Sequence, residues 1–182
     1  MAPVARLVLT GSESTGKTTL ARALAAHYHT SWVPEFSREY AEQRKGLLAL
    51  ADVEPIAWGQ LAAEDAADAK DGLVVLDTDL LSTIVYARHY YDLVPGWLET
   101  ALAGSPSSFY LLCDIDLFWV ADGVRDRGDE RQKVHGLFRK ALEERDLPFE
   151  LVTGTGPARL TAAIAAADRW LGRNHGGKTR RP

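Results

Sequence analysis

The chain has 182 residues, 46% apolar and 25% charged, with a net charge of −4. That is long enough for one domain with a full core, short for two, and ordinary for a soluble globular protein. There is no global basic footprint for nucleic acid, no apolar run reaches about 18 residues as a membrane span requires, and the single cysteine, Cys113, rules out an internal disulfide.

One cysteine fits a reducing compartment, and the apolar run around Cys113 makes it a small core residue. The N-terminus lacks a basic segment followed by an apolar core, so no secretory leader is expected and the expected location is the cytoplasm. Neither membrane nor nucleic acid is an expected partner, and the sequence does not fix an oligomeric state. A single domain is expected over 1–171. Residues 172–182, with Arg173, Lys178, Arg180 and Arg181, read as a basic disordered tail.

In chain order, residues 1–10 give a first strand and 16–28 a helix. The short apolar run Thr30 to Val33, ending at Pro34, suggests a second strand leaving the sheet. A helix is expected to start with Ser37 as its cap and to break at Gly46. Asp52 is placed to cap a long helix from Val53 to Lys70, with Pro55 tolerated in its first turn. Leu73 to Leu76 is a continuous apolar run, as in a strand buried on both faces, and it delivers Asp77-Thr78-Asp79. Helices are expected over Leu80 to Tyr90 and Pro95 to Ala103, a strand over Phe109 to Cys113, and a charged loop from Asp114 to Arg131. A helix resuming to about Arg145, a strand over Phe149 to Val152, a Gly154–Pro157 turn and a helix over Ala158 to Leu171 complete the pattern. Five strands alternating with helices imply an α/β fold: a five-stranded parallel sheet in a three-layer sandwich, with ligands outside the carboxyl ends of the strands.

Between the first strand and first helix lies Gly11-Ser12-Glu13-Ser14-Thr15-Gly16-Lys17-Thr18. Strand, G-x4-G-K-T and helix together form the phosphate-binding loop of P-loop NTPases. Gly11 and Gly16 let the backbone curl so that N–H groups from Glu13, Ser14, Thr15, Gly16 and onward to Thr19 face phosphate oxygens, at the positive end of the helix. Lys17 is long enough for the β- and γ-phosphates of ATP, and the Thr18 hydroxyl can ligate Mg²⁺.

Further candidates follow the other strands. Asp77 and Asp79, two residues apart at a strand end, are expected on the same side. One would hold Mg²⁺ and the other meet an acceptor hydroxyl, with Asp79 the candidate base; the plainer role for Asp79 is a helix cap. Glu35 and Arg38 sit where an acceptor would lie. A carboxylate there can grip sugar hydroxyls and Arg38 can hold a phosphate or steady Glu35, or the two form a surface pair of little worth. Arg125 and Arg127, in the loop 122–131 with Gly123 and Gly128 as hinges, can close over a triphosphate and neutralise the transferred phosphoryl; the alternative is a solvated polar loop. Trp58 and Gln60 lie on the long helix, where an aromatic can stack on a flat ring or simply pack in the core. The five histidines form no metal set.

The segments G-S-E-S-T-G-K-T-T-L, E-F-S-R-E-Y at 35–40, W-G-Q at 58–60, L-D-T-D-L at 76–80 and D-L-F-W-V-A-D-G-V-R at 116–125, in that order, resemble the ribosylnicotinamide kinase domain of NadR-type proteins. The likeness runs from about Arg6 to Trp170. It implies a nucleoside-kinase-like fold and transfer of the ATP γ-phosphoryl to the 5′-hydroxyl of nicotinamide riboside, giving nicotinamide mononucleotide for NAD salvage. It carries over Lys17 and Thr18 for phosphates and Mg²⁺, Asp77 and Asp79 for metal and acceptor, and Arg125 in the lid. Some members have tryptophan before the Glu of E-[FY]-x-R-E; here Pro34 stands there, with Trp32 two residues earlier. Two other classes are weighed: a kinase of another nucleoside or small metabolite, and a nucleotide-dependent switch. The guanine-reading N-K-x-D segment of the common switch is not in the sequence.

Overall fold

A computed structural model describes residues 4–45, 48–67, 69, 72–105, 108–118 and 130–175. The elements are β1 (Ala5–Thr10), α1 (Lys17–His27), β2 (Trp32–Val33), α2 (Phe36–Arg44), a single 3₁₀ turn (Leu50–Asp52), α3 (Val53–Asp65), β3 (Leu73–Asp77), α4 (Leu80–Tyr91), α5 (Gly96–Ala103), β4 (Ser108–Cys113), α6 (Arg131–Glu144), β5 (Phe149–Val152) and α7 (Gly156–His175). The five strands are parallel in the order β2-β3-β1-β4-β5, so the connection leaving β1 runs toward one edge of the sheet and that leaving its neighbour β4 toward the other. That divergence opens a crevice at the carboxyl end of the central strand, where a ligand can enter between the two loops.

Alternation along the strands divides the apolar side chains into two cores. Leu7, Leu9, Val75, Phe109, Leu111 and Cys113 face one side, where they meet Leu20 and Leu24 of α1 and Ala163, Ala166 and Trp170 of α7. Val8, Leu76, Tyr110 and Leu112 face the other, against Ile84 of α4, Leu98 of α5 and Phe138 of α6. Both faces of β1, β3 and β4 are therefore covered, as a parallel sheet requires. Cys113 is fully buried, as its apolar setting predicts.

Several boundaries differ from the pattern reading. Glu35, not Ser37, is the residue before α2, and the Ser37 hydroxyl donates to Glu35 Oε1 at 2.8 Å. Helix α2 closes at Lys45 with φ 51°; Gly46, the expected breaker, lies outside the described residues. Asp52 does not cap α3 with its side chain. Its carboxylate accepts from Ala49 N–H at 2.8 Å and from the Tyr40 hydroxyl at 2.9 Å, so it closes the 3₁₀ turn instead. Helix α3 ends at Asp65, well short of Lys70. Helix α7 starts at Gly156 and continues through His175, past the Leu171 boundary expected for the domain. Residues 176–182 of the expected tail lie outside the described residues.

Candidate active site

The loop between β1 and α1 is built on backbone geometry that only some residues tolerate. Gly11 has φ 126°, and a Cβ there would lie 2.9 Å from the Cys113 carbonyl oxygen. Gly16, at φ 76°, turns the chain into α1. Both conformations are costly for a residue with a side chain, which is why glycines bracket the motif. Inside the loop the Thr15 hydroxyl donates to Ser12 O at 2.9 Å, and the Lys17 ammonium donates to Gly11 O at 3.1 Å and Ser12 O at 2.7 Å. Lys17 is thus buried and folded over the cradle, next to where phosphate oxygens would replace those carbonyls. Thr19 is exposed on the first turn of α1.

Two arginines donate to backbone carbonyls of the loop. Arg131 donates to Leu117 O at 2.7 Å and Ser14 O at 3.0 Å. Arg159 donates to Asp116 Oδ1 at 2.5 Å, to Gly154 O at 2.8 Å, and to both Thr15 O and Asp114 O at 3.0 Å. Engaging the carbonyls of Ser14 and Thr15 leaves the amide edge of the loop for an anion. Arg159 opens no charge cluster in the sequence and was not among the expected site residues; it lies in the first turn of α7, the helix that follows β5.

Thr18 and Asp77 join α1 to β3: the Thr18 hydroxyl donates to Asp77 Oδ2 at 2.5 Å. Asp77 Oδ1 is buried with no hydrogen-bond partner among the described residues. Burial raises the Asp77 carboxyl above its ordinary range and the nearby Glu35 charge raises it further, while the Thr18 hydroxyl, Lys17 and Arg38 pull it back. The same balance shows that Glu35, Arg38, Lys17, Thr18 and Asp77 share one electrostatic neighbourhood. Glu35 is buried and Arg38 is exposed. A hydroxyl, an orphaned carboxylate oxygen and an adjoining phosphate cradle are hard oxygen donors that fit Mg²⁺, which takes one or two protein ligands and completes its shell with water and phosphate. Among the described residues there is no cluster of three or more His, Cys, Asp or Glu to hold a metal by itself.

The two acids after β3 do not share a side. Thr78 has φ 73°, which breaks the strand's alternation between them. Asp77 turns toward α1, whereas Asp79 turns into the opposite core, where its Oδ1 accepts from Leu81 N–H at 3.0 Å and its Oδ2 from the Tyr110 hydroxyl at 2.6 Å. Burial raises the Asp79 carboxyl, opposed by the Tyr110 hydroxyl, the Leu81 amide and Arg6. The expectation that Asp77 and Asp79 share a side is corrected: Asp79 lies on the opposite face with both oxygens engaged, and it caps α4.

Two further expected site residues have partners inside the protein. Gln60 is 2% exposed and its amide is committed: Oε1 accepts from Phe36 N–H at 3.1 Å, while Nε2 donates to Glu64 at 2.9 Å and to Thr78 O at 3.3 Å. It has no donor left for a substrate. Trp58 is 59% exposed and stacks on Trp97 of α5, ring centres 4.3 Å apart. Glu13 is buried; the Tyr86 hydroxyl donates to one of its oxygens at 3.0 Å and the other has no partner among the described residues. Arg125 and Arg127, with the rest of 119–129, lie outside the described residues. Of the expected lid, Glu130 and Arg131 are described, and Arg131 opens α6.

A phosphate cradle on the central strand, with a hydroxyl–carboxylate pair at its edge, defines a P-loop nucleotide-binding domain of the nucleoside-kinase type of fold. Residues 6–159 match the model of the family AAA_28, described as "AAA domain", and the chain belongs to that family. It is similar to the trifunctional NAD biosynthesis/regulator protein NadR of Escherichia coli (strain K12), 27% identical over 153 residues that make up 80% of this chain and 37% of that protein. The chain thus spans little more than a third of that relative's length. Among solved structures, NadR in complex with NR superposes with a TM-score of 0.77 at 24% identity, covering 98% of this chain and 52% of that one. A thymidylate kinase from Ehrlichia chaffeensis superposes with a TM-score of 0.65 at 13% identity, covering 92% of this chain and 100% of that one. These likenesses bear out the five-stranded P-loop kinase fold and the resemblance drawn from the motifs. Among the described residues no helix is long and apolar enough to cross a membrane.

Proposed function

We propose that this domain is an ATP- and Mg²⁺-dependent kinase that transfers the γ-phosphoryl group to the 5′-hydroxyl of nicotinamide riboside, forming nicotinamide mononucleotide in the cytoplasm. The observation that supports the proposal is that the charges of Glu35, Arg38 and Lys17 all bear on Asp77, which accepts from the Thr18 hydroxyl. In this reading Glu35 and Arg38 are the acceptor-side carboxylate and cation, which a phosphoryl transfer needs beside the phosphate end of the cradle and a simple binding module does not. The order of motifs shared with NadR-type proteins, and a relative whose name places it in NAD biosynthesis, favour nicotinamide riboside among nucleosides.

In this reading the loop amides and Lys17 hold the triphosphate in line, and Thr18 with Asp77 holds the metal. Bound Mg²⁺ would neutralise charge on the β- and γ-phosphates. Glu35 orients the 5′-hydroxyl and accepts its proton as the oxygen attacks phosphorus, and ADP leaves. Arg38 steadies Glu35 or the ribose. Arg125 and Arg127 would stabilise the equatorial oxygens. Purified protein with ATP, Mg²⁺ and a nucleoside panel tests this, with products identified by mass. Nicotinamide riboside gaining one phosphate is the expected result. A product from a different nucleoside alone moves the proposal to that acceptor, and ATP hydrolysis with no phosphorylated nucleoside ends it.

A further inference from the structure

Thr78 holds a conformation that a β-branched residue avoids. Its φ of 73° lies in the left-handed region, and it stands between Asp77 and Asp79, where it sends one carboxylate to each side of the sheet. Such an outlier persists only where its surroundings over-determine it. Two bonds do so here. Thr78 N–H donates to Leu9 O at 3.0 Å, and Thr78 O accepts from Gln60 Nε2 at 3.3 Å.

Gln60 reaches the other acceptor-side loop with the same amide. Its Oε1 accepts from Phe36 N–H, the first amide after Glu35, at 3.1 Å. The preceding residue lets this happen: a Cβ on Gly59 would lie 2.0 Å from the Phe36 ring, so the start of α2 rests directly on α3. The amide is fixed in turn by Glu64, whose Oε1 accepts from Nε2 at 2.9 Å and whose Oε2 pairs with the buried Arg6 of β1. Both Glu64 oxygens and the whole Gln60 amide are thereby engaged, and the Gln60 amide joins the backbone just after β3 to the first residue of α2.

We infer that Gln60 is a positioning residue: one buried amide ties the Thr78 carbonyl to the Phe36 amide and so sets the distance between Asp77 and Glu35. The role rests on the kinase reading above, because the gap it sets is the one between the metal-side and acceptor-side carboxylates. Gln60 touches neither nucleotide nor acceptor. Its effect is on the spacing of two groups that must meet the same phosphoryl transfer, where small misplacements are expensive.

Gln60→Met keeps length and volume but leaves Phe36 N–H and Thr78 O without their partner. The expected result is an acceptor KM raised about tenfold and a kcat lowered about tenfold, with ATP-analogue affinity within about twofold. Independently of activity, amide hydrogen exchange at Phe36 is expected to accelerate at least about tenfold, with α1 amides unchanged. Gln60→Glu keeps the acceptor for Phe36 N–H but sets a carboxylate against Glu64 and Thr78 O. Adding Glu64→Gln restores a donor between positions 60 and 64, and the double variant is expected to recover part of the activity and Phe36 protection lost in Gln60→Glu.

Unchanged Phe36 exchange in a folded Gln60→Met protein overturns the inference, as does loss of ATP affinity in step with acceptor affinity. If Gln60→Met does not fold, the comparison passes to the swap, and a double variant no better than Gln60→Glu overturns it. A wild-type protein that phosphorylates no nucleoside removes the kinase reading instead, and the exchange measurement still decides whether Gln60 holds the two loops.

Discussion

The Thr18 hydroxyl donates to Asp77 Oδ2 across 2.5 Å, joining the first turn of α1 to the last residue of β3. The bond places a neutral and an anionic oxygen side by side at the edge of the phosphate cradle, with the second Asp77 oxygen buried and unpartnered among the described residues. A buried carboxylate oxygen without a partner is costly, and a divalent cation relieves that cost.

Removing either donor is therefore expected to act through the metal. Thr18→Ala or Asp77→Asn should lower kcat roughly 100-fold or more, about 2.7 kcal/mol of transition-state stabilisation. Each should also raise the Mg²⁺ concentration needed for half-maximal rate. Steady-state rates across a Mg²⁺ titration check this; an unchanged titration curve in Asp77→Asn would remove Asp77 from the metal site.

Glu35 is buried beside Asp77, and its like charge is one reason the Asp77 carboxyl is raised. As the group that takes the acceptor proton, it should contribute on the order of 10²–10⁴ in rate. Glu35→Gln preserves shape and the bond from Ser37 while abolishing basicity. The expected outcome is a kcat loss of that size with ATP affinity intact, read by single-turnover kinetics and by titration with a non-hydrolysable nucleotide. A loss confined to nucleotide binding would place Glu35 elsewhere in the mechanism.

Asp79 supplies the contrasting case. Its two oxygens serve the Leu81 amide and the Tyr110 hydroxyl, so its loss should be felt by α4 and the core. Tyr110→Phe leaves a buried carboxylate oxygen without its donor and should cost about 1–3 kcal/mol of stability, with kcat changed by less than about tenfold. Asp79→Asn, which keeps an acceptor for the Leu81 amide, should behave likewise. Thermal unfolding alongside initial rates checks both. A collapse of kcat in a fully stable Asp79→Asn protein would restore Asp79 to the chemistry.

These two aspartates mark what local sequence rules can and cannot place. The cradle was legible because Gly11 to Thr18 are contiguous and each residue type answers one local demand. Asp77 was legible because ligands in a parallel sheet gather at strand ends. The opposite fate of Asp79 was not, because strand alternation predicts a shared side and only the φ of Thr78 breaks it. Gln60 follows the same logic. Its helix position was readable, but whether its amide meets a substrate or two backbone groups depends on how closely α2 approaches α3, which Gly59 decides. Arg159 hid in an alanine-rich helix start, where no local charge pattern marks a cation whose partners lie in three separate segments.

The pair Arg6–Glu64 makes a prediction about pH. Burial pushes the Glu64 carboxyl up from 4.5 to about 7, with the Asp79 charge adding to the rise while Arg6 and the Gln60 amide oppose it. In the unfolded chain Glu64 releases its proton near its ordinary value, and in the folded protein it keeps the proton until near neutrality. Between those values the folded state binds more protons, so stability must fall as pH rises from about 4.5 to 7 and level off above. The direction is opposite to that of a carboxylate stabilised by its ion pair. Glu64→Gln mimics the protonated side chain and can still accept from Gln60, so it should flatten this slope, narrowing the difference in melting temperature between pH 5 and pH 8, about one pH unit outside the titration at the upper end. Calorimetric unfolding of both proteins at those two pH values tests it. A slope that survives in Glu64→Gln would assign the titration to another buried acid, such as Asp79, whose carboxyl burial also raises.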